Sequence, residues 1–483
     1  MLKSLVARGR AIGISVSTRH FFPTLNRIFK LDQHQTTVGR ELQAGLTTFT
    51  ALAYILAVNP LILKDAGMPQ AAVVTVTAIT AAISTLLMAF MTNFPLALAP
   101  GMGINAYFTY TVCLGAGVPW QSALGLVFAN GVMFLLLSLS GLREKIVNSI
   151  PYSLKIAITC GVGLFIAFIE LKNAGLVVAS KATLVTQGDF GSPAVALAFY
   201  GIMLTAVLVA RRVPGAIVLS IAAVTLVGLF VPDGKGGHVT ALPTGIFSLP
   251  ASPEPVMLKL DFKFILENFA KALPIILTLL IIDMFDNIGT LIGVTKRAGL
   301  LRPDGSLPKV ARALVADSFA AILSSLLGTS TVVSYIESAA GVEAGGRTGL
   351  TAVSTAVCFL LALFLTPLIL IIPAAATAPA LVIVGVFMFQ TVTEIKLDDF
   401  AETMPAVVTI LCIPLTFSIA EGLGLGVIAL TFMALCTGRA KSLPTFTYGT
   451  GRDVLFPHFP PLVRLRRVDF SRSPVNRTAQ KAT

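Results

Sequence analysis

Between residues 45 and 438 the chain alternates apolar runs of 15–26 residues with short polar connections, and that rhythm limits the fold before any motif is read. A helix rises about 1.5 Å per residue and the hydrocarbon core of a bilayer is about 30 Å thick, so about 20 apolar residues cross it. Runs near that length fall at about 45–64, 70–92, 96–112, 121–141, 150–170, 192–210, 213–231, 268–293, 310–327, 328–342, 348–370, 376–392, 403–418 and 421–438. A soluble fold would leave too much of this surface in water: 55% of the 483 residues are hydrophobic, 12% are charged, and the mean hydropathy is +0.87. The expectation is an all-α polytopic membrane protein of about fourteen segments.

A formal charge of +12 would suit nucleic acid if it were gathered on one face, but the lysines and arginines collect at the two ends and in short loops. With the N-terminus inside, the loops after even-numbered segments hold Arg143 and Lys145, Arg211 and Arg212, the group Lys296, Arg297, Arg302, Lys309 and Arg312, and Arg347. The tail, with Arg439, Lys441, Arg464, Arg466 and Arg467, falls on the same side, so both termini are expected in the cytoplasm. These charges report topology and imply no nucleic-acid partner. The Pro- and Gly-rich loop 232–267 then lies outside, between a first half (41–231) and a second half (268–438), with a basic arm (1–40) and a basic tail (439–483) at the ends. In the arm, Ala11 to Val16 is too short to span, which leaves a surface-lying segment or a cytosolic extension. No cleavable signal precedes the first apolar run, which would itself direct insertion.

The two halves repeat. Ile150, Pro151, Gly163 and Phe165 match Ile372, Pro373, Gly385 and Phe387 at a constant offset of 222. Upstream, Phe134 to Leu136 match Phe359 to Leu361, and Gly103 falls against Gly328. Seven segments in each half is an odd number, so the repeats are expected to be inverted in the membrane.

One stretch does not fit a lipid-facing helix. GTSTVVSYIESAAGVEAGGRTG, from Gly328 to Gly349, carries Thr329, Ser330, Thr331, Ser334, Tyr335 and Glu337 between apolar runs. Each hydroxyl, and above all the carboxylate, needs a partner away from hydrocarbon. Gly328 stops the preceding helix, the β-branched run Thr329 to Val333 favours an extended segment, and Glu337 onward can start a short helix. Its counterpart in the first half, Leu96 to Thr111, is broken by Pro100, Gly101 and Gly103. Two broken segments in corresponding positions point to a shared site near the bilayer midplane.

The polar residues at membrane depth agree. Asp283 and Asp286 stand three apart on one helical face, followed by Asn287; Glu337 comes from the tenth segment and Asn105 from the third. No arginine lies in the spans near them, which disfavours a highly charged anion as cargo. Two acids, an amide, backbone amides near Gly103, Ser330 and Thr331, and the aromatics Phe285, Tyr107 and Phe108 suit a flat, polar, largely neutral ring. A buried carboxyl holds its proton more tightly, so coupling to protons through Asp283, Asp286 or Glu337 is the accompanying expectation. Asp317 reads as a packing or gating residue. The five cysteines stand singly, the four histidines lie in tails or a loop, and no Walker-type phosphate loop or nucleophilic triad is present. Neither enzymatic chemistry, nor a cofactor, nor a metal is expected.

The runs DMFDNIGTLIGV from Asp283, GTSTVVSYIESAAGVEAGGRTGLTAV from Gly328, APGMGINAYFTY from Ala99, IPYSLKIAITCGVGLFIAF from Ile150 and FSIAEGLGLG from Phe417 resemble the AzgA-like purine permeases. Those belong to the superfamily of nucleobase–cation symporters that includes the xanthine and uracil permeases. The likeness runs from about Gly39 to Arg439. It implies two inverted repeats of seven segments, a core and a gate domain, short strands in segments three and ten, an elevator-like alternating-access mechanism, and a homodimer formed through the gate. It also implies uptake of adenine, guanine or hypoxanthine with protons, across a plasma membrane or bacterial inner membrane. The family's binding acids match Asp283 and Glu337, its second acid matches Asp286, and its asparagine matches Asn105. One departure is Asn287, where threonine is common.

Overall fold

The computed structural model describes residues 23–140, 151–233, 236–243, 245–300, 309–395 and 398–438. The expectations for Ala11 to Val16, for Arg143 and Lys145, for Arg302 and for the C-terminal tail lie outside these residues.

The first half contains α1 (Pro23–Phe29), α2 (Val38–Leu52), α3 (Ile55–Asp65), α4 (Gln70–Thr92), β1 (Leu98–Pro100), α5 (Met102–Ala106), α6 (Trp120–Ser140), α7 (Tyr152–Asn173), the strands β2 (Val177–Ser180) and β3 (Leu184–Gln187), α8 (Pro193–Ala210) and α9 (Ala216–Gly228). The second half follows with α10 (Lys263–Glu267), α11 (Phe269–Arg297), α12 (Val310–Leu327), β4 (Val332–Ser334), α13 (Ser338–Glu343), α14 (Gly349–Ala362), α15 (Thr366–Leu370), α16 (Ala374–Phe389), α17 (Phe400–Thr416) and α18 (Ile419–Cys436). Among the described residues, eight helices are long and apolar enough to cross a membrane and three more are shorter apolar helices. Length and composition thus establish a polytopic helical protein without fixing the number of spans.

Both segments expected to be broken are broken. Segment three is a three-residue strand, a five-residue helix and a π-helical stretch, Tyr107–Gly115. Segment ten is a three-residue strand and a six-residue helix. Gly328 ends α12 with φ of 92°, in the left-handed region, where a Cβ would stand 2.4 Å from the Val256 carbonyl. Only glycine meets both demands. The strands pair with each other, antiparallel, Leu98 opposite Ser334 and Pro100 opposite Val332. The exposed β2–β3 hairpin has only four residues per strand and no long apolar run, so the apolar pattern gave no sign of it.

The helices pack as two bodies. One joins α2, α4 and α14 with α6 and α12 around the broken segments; the other joins α7, α8 and α9 with α16, α17 and α18. The bodies touch sparsely, where α5 meets α7, α11 meets α7 and α18, and α2 meets α9. Within the first body, Glu41 of α2 is fully buried and caps α14: it accepts from the Thr348 and Thr351 hydroxyls at 2.9 and 2.6 Å and from the Arg347 amide at 2.9 Å. A carboxylate at a helix N-terminus satisfies free amides and complements the dipole. Within the second body, the repeat-related Gly163 and Gly385 lie against each other, so that a Cβ on Gly385 would stand 2.4 Å from the Gly163 carbonyl. The crossing of α7 and α16 depends on that bare contact.

Gly385→Ala is accordingly expected to cost about 1–3 kcal/mol through overpacking, read as a lower unfolding midpoint of the purified protein. Gly39→Ala, inside α2 and with no atom within 4 Å of the new Cβ, should not lower the midpoint and should raise it slightly through helix propensity.

Candidate substrate-binding site

Backbone that leaves the helix at membrane depth needs hydrogen-bond partners, because hydrocarbon offers none. Each of the two crossing strands has one edge on its neighbour and one edge bare, and side chains cover the bare edges. On the β1 side, the Thr85 hydroxyl of α4 donates to the Leu98 carbonyl at 3.0 Å and accepts from the Leu98 amide at 2.9 Å. On the β4 side, the Asn287 Oδ1 of α11 accepts from the Ser334 amide at 2.7 Å. The Tyr335 hydroxyl donates to the Pro100 carbonyl, and the Gly101 amide donates to the Thr331 carbonyl at 3.0 Å.

The expected site residues gather around this crossing. Asp283 is fully buried and accepts from Asn287 Nδ2 at 2.9 Å, Asn130 Nδ2 at 3.1 Å and the Thr331 hydroxyl at 3.2 Å. It is held by three elements and faces inward. Asp286, one turn further on, is half-buried, and among the described residues its carboxylate makes no hydrogen bond. It faces α5: a Cβ on Gly103 would lie 3.9 Å from Asp286 Oδ2 and 2.8 Å from Val162 of α7. Asp286 and Gly103 therefore sit at the seam between the two bodies. Glu337, also half-buried, precedes α13 and accepts from the Tyr54 hydroxyl at 3.0 Å. Tyr335 lies between the two, two residues before Glu337 and within electrostatic reach of Asp286.

Asn105 is buried within a polar chain. Its amide donates to Asn59 Oδ1 at 2.5 Å and its Oδ1 accepts from the Ser330 hydroxyl; Asn59 in turn donates to Thr77 at 2.6 Å and Thr329 at 3.2 Å. The chain fastens α3 and α4 to both broken segments. Ser330 and Thr331 thus serve Asn105 and Asp283. The Phe285 side chain lies outside the described residues. Asn59, Tyr54, Thr85 and Asn130 were not foreseen, although a polar side chain inside an apolar run is itself the sign that a partner exists in the fold.

Two bodies of apolar helices, with broken segments crossing between carboxyls at their seam, define a membrane transporter. Over residues 39–425 the chain matches the Permease family of xanthine/uracil permeases, and it belongs to that family. A putative permease of Methanocaldococcus jannaschii is 48% identical over 424 residues, covering 88% of this chain and 95% of that one. An adenine permease of Escherichia coli is 43% identical over 420 residues (87% and 93%), and a guanine/hypoxanthine permease of Bacillus subtilis 40% identical over 421 residues (86% and 96%). The transmembrane domain of a cyanobacterial bicarbonate transporter superposes with a TM-score of 0.58 at 16% identity, over 80% of this chain and 97% of that one, which extends the likeness in fold alone.

Asn287→Ala leaves the Ser334 amide without its acceptor and removes one donor from Asp283. The expected loss is about 1–3 kcal/mol for a buried group left unpaired, measured as a drop in unfolding midpoint with no ligand present.

Proposed function

We propose that the chain imports purine nucleobases, adenine, guanine or hypoxanthine, by proton symport, and that the site lies beside the strand crossing, bounded by Asp286 and Gly103 at the seam and by Glu337 at the start of α13. The observation that carries this reading is the likeness, over nearly the whole chain, to an adenine permease at 43% identity and a guanine/hypoxanthine permease at 40%. The chemistry agrees with it. A neutral purine offers ring N–H donors that two carboxyls accept, and carbonyl or nitrogen acceptors that the amides of a broken helix meet. An anionic cargo would face two carboxyls with no described cation beside them, so the likeness in fold to a bicarbonate transporter does not extend to the cargo.

Geometry favours a division of labour among the acids. Glu337 and Asp286 retain capacity for a ligand or a proton, whereas Asp283, saturated by Asn287, Asn130 and Thr331, acts behind them to hold β4 in place. The test is uptake of labelled adenine and hypoxanthine into proteoliposomes under an inward proton gradient. Accumulation should collapse with a protonophore and be competed by unlabelled guanine. Asp286→Asn and Glu337→Gln should each lower accumulation at least tenfold with little change in unfolding midpoint, whereas Asp283→Asn should lower the midpoint as well. Gradient-driven uptake that survives Asp286→Asn removes that residue from the site.

Movement of one body against the other accounts for access from both sides. Among the described residues, the side-chain hydrogen bonds that join the bodies are Asn173 Nδ2 to the Tyr110 hydroxyl, 3.0 Å, and the Thr111 hydroxyl to the Phe417 carbonyl, 3.0 Å. Tyr110 itself donates to Asp65 at 2.9 Å, and the three residues line a cavity of 250 Å³ with Glu170 and Thr377. Asp65 ends α3 and Asn173 ends α7, so with a cytoplasmic N-terminus these bonds close the external route. Tyr110→Phe should therefore shift the population toward the outward-open form. The measurement is alkylation, by a membrane-impermeant thiol reagent, of a cysteine introduced at Val58, which lines the same cavity. Labelling should rise several-fold in the Tyr110→Phe background, and an unchanged rate refutes the latch.

A further inference from the structure

At the N-terminal face of the bundle, cations from two distant stretches of chain converge where the protein also turns apolar side chains outward. Helix α1 lies against α14, with Phe29 and Leu31 buried beside Leu350 and the Phe29 ring 5.9 Å from Phe90 of α4. Its neighbour Ile28 is half exposed, and the apolar side chains of Phe90, Leu42 and Leu46 are exposed on α4 and α2. A short amphipathic helix in this position lies along the interface, one edge on protein and one on lipid.

Lys30 follows this helix directly, and the start of α12 brings Lys309 and Arg312 beside it. All three are exposed. Lys309 sits at φ of 60°, an unusual backbone for a non-glycine residue, and its ammonium donates to the Thr92 carbonyl at the end of α4 at 2.9 Å. The next residue, Asn93, donates from Nδ2 to the Phe29 carbonyl at 2.9 Å, so Lys30 and Lys309 meet at the end of α4, with Arg312 one turn along α12 and its charge felt at Lys309. His34 faces the same group, with Glu41 the nearby acid. Glu41 does not neutralise the group, because its carboxylate is buried and spent on the Arg347 amide and on Thr348 and Thr351. Among the described residues no ion pair joins Lys30, Lys309 or Arg312 to a carboxylate. Charges kept close together against their own repulsion call for an external anion.

We infer that Lys30, Lys309 and Arg312 form a headgroup site for an anionic phospholipid, whose acyl chains lie along Phe90, Leu42 and Leu46. The phosphate takes charge-assisted hydrogen bonds from the cations, and the apolar edge of α1 sets the depth of the chain. Scattered basic residues that merely report topology would not need this convergence, nor an amphipathic helix beside it. The inference is independent of which solute is carried.

The test uses the purified full chain in a neutral detergent, with phosphatidylglycerol, phosphatidylcholine or inorganic phosphate added at equal phosphorus concentration. Phosphatidylglycerol is expected to raise the unfolding midpoint by several degrees more than phosphatidylcholine, and to remain bound in native mass spectra. In the double variant Lys30→Gln/Arg312→Gln at least half of that increment should vanish, while the midpoint in phosphatidylcholine stays at the wild-type value. The charge-retaining pair Lys30→Arg/Arg312→Lys should keep the increment. Equal effects of the two lipids on the unaltered protein overturn the proposal, as does an undiminished increment in the Gln variant. A shift reproduced in full by inorganic phosphate alone also overturns it, since the site would then serve a free anion.

Discussion

Everything at the seam depends on a pair of three-residue strands that satisfy each other inside a membrane protein. A helix closes its own hydrogen bonds; a strand does not, and a two-stranded ribbon still leaves one bare edge on each side. The rest of the centre follows from covering those edges. Thr85 takes both backbone groups of Leu98, Asn287 takes the amide of Ser334, and the chain through Asn59, Asn105 and Ser330 fixes the ends of both segments. Once the backbone is held in this way, the short helices that follow β1 and β4 bring Gly103 and Glu337 to the crossing. Polar side chains on apolar helices are thus the condition for having a site at all, whatever passes through it.

The contact between the two bodies is sparse, and the extensive packing is found within each body, as the proposed movement of one against the other requires. Gly163 against Gly385 in one body, and Glu41 capping α14 in the other, join elements of the first half to elements of the second. Each body is therefore built from both halves of the chain, which form two units that cut across the halves.

Much of this was legible from residue types. The runs of apolar residues foretold the helices, and the segments at 70–92 and 310–327 begin and end where expected. Gly328 and the Thr329–Val333 run foretold the break in segment ten, because a left-handed stop followed by β-branched residues has few alternatives. The convergence of Asp283, Asp286, Glu337 and Asn105 on one region was legible too, since polar groups in hydrocarbon must find one another. What escaped was direction and partner. That the two broken segments pair strand to strand, antiparallel, has no signal in either segment alone. Asn59 and Asn130 stand alone in their apolar runs, so their importance depends on partners about 46 and 153 positions away. Glu41 stands just before the first apolar run with no local sign of its role, and its burial follows from the tertiary position of Thr348 and Thr351.

The two aspartates of α11 show how far a spacing argument reaches. Residues three apart on a helix differ by about 60° in direction, which is close enough to share a face and far enough to meet different surroundings. Asp283 points into its own body, where three donors saturate it. Asp286 points toward Gly103 and the seam, where its carboxylate keeps its capacity. A carboxylate satisfied by fixed donors loses much by taking up a proton or a ligand, because each donor would be left unpaired. A neighbour with no such donors loses little. The difference between an acid held by three donors and one with none is therefore set by about 60° of rotation and by Asn287, which reaches from Asp283 to the Ser334 amide of β4.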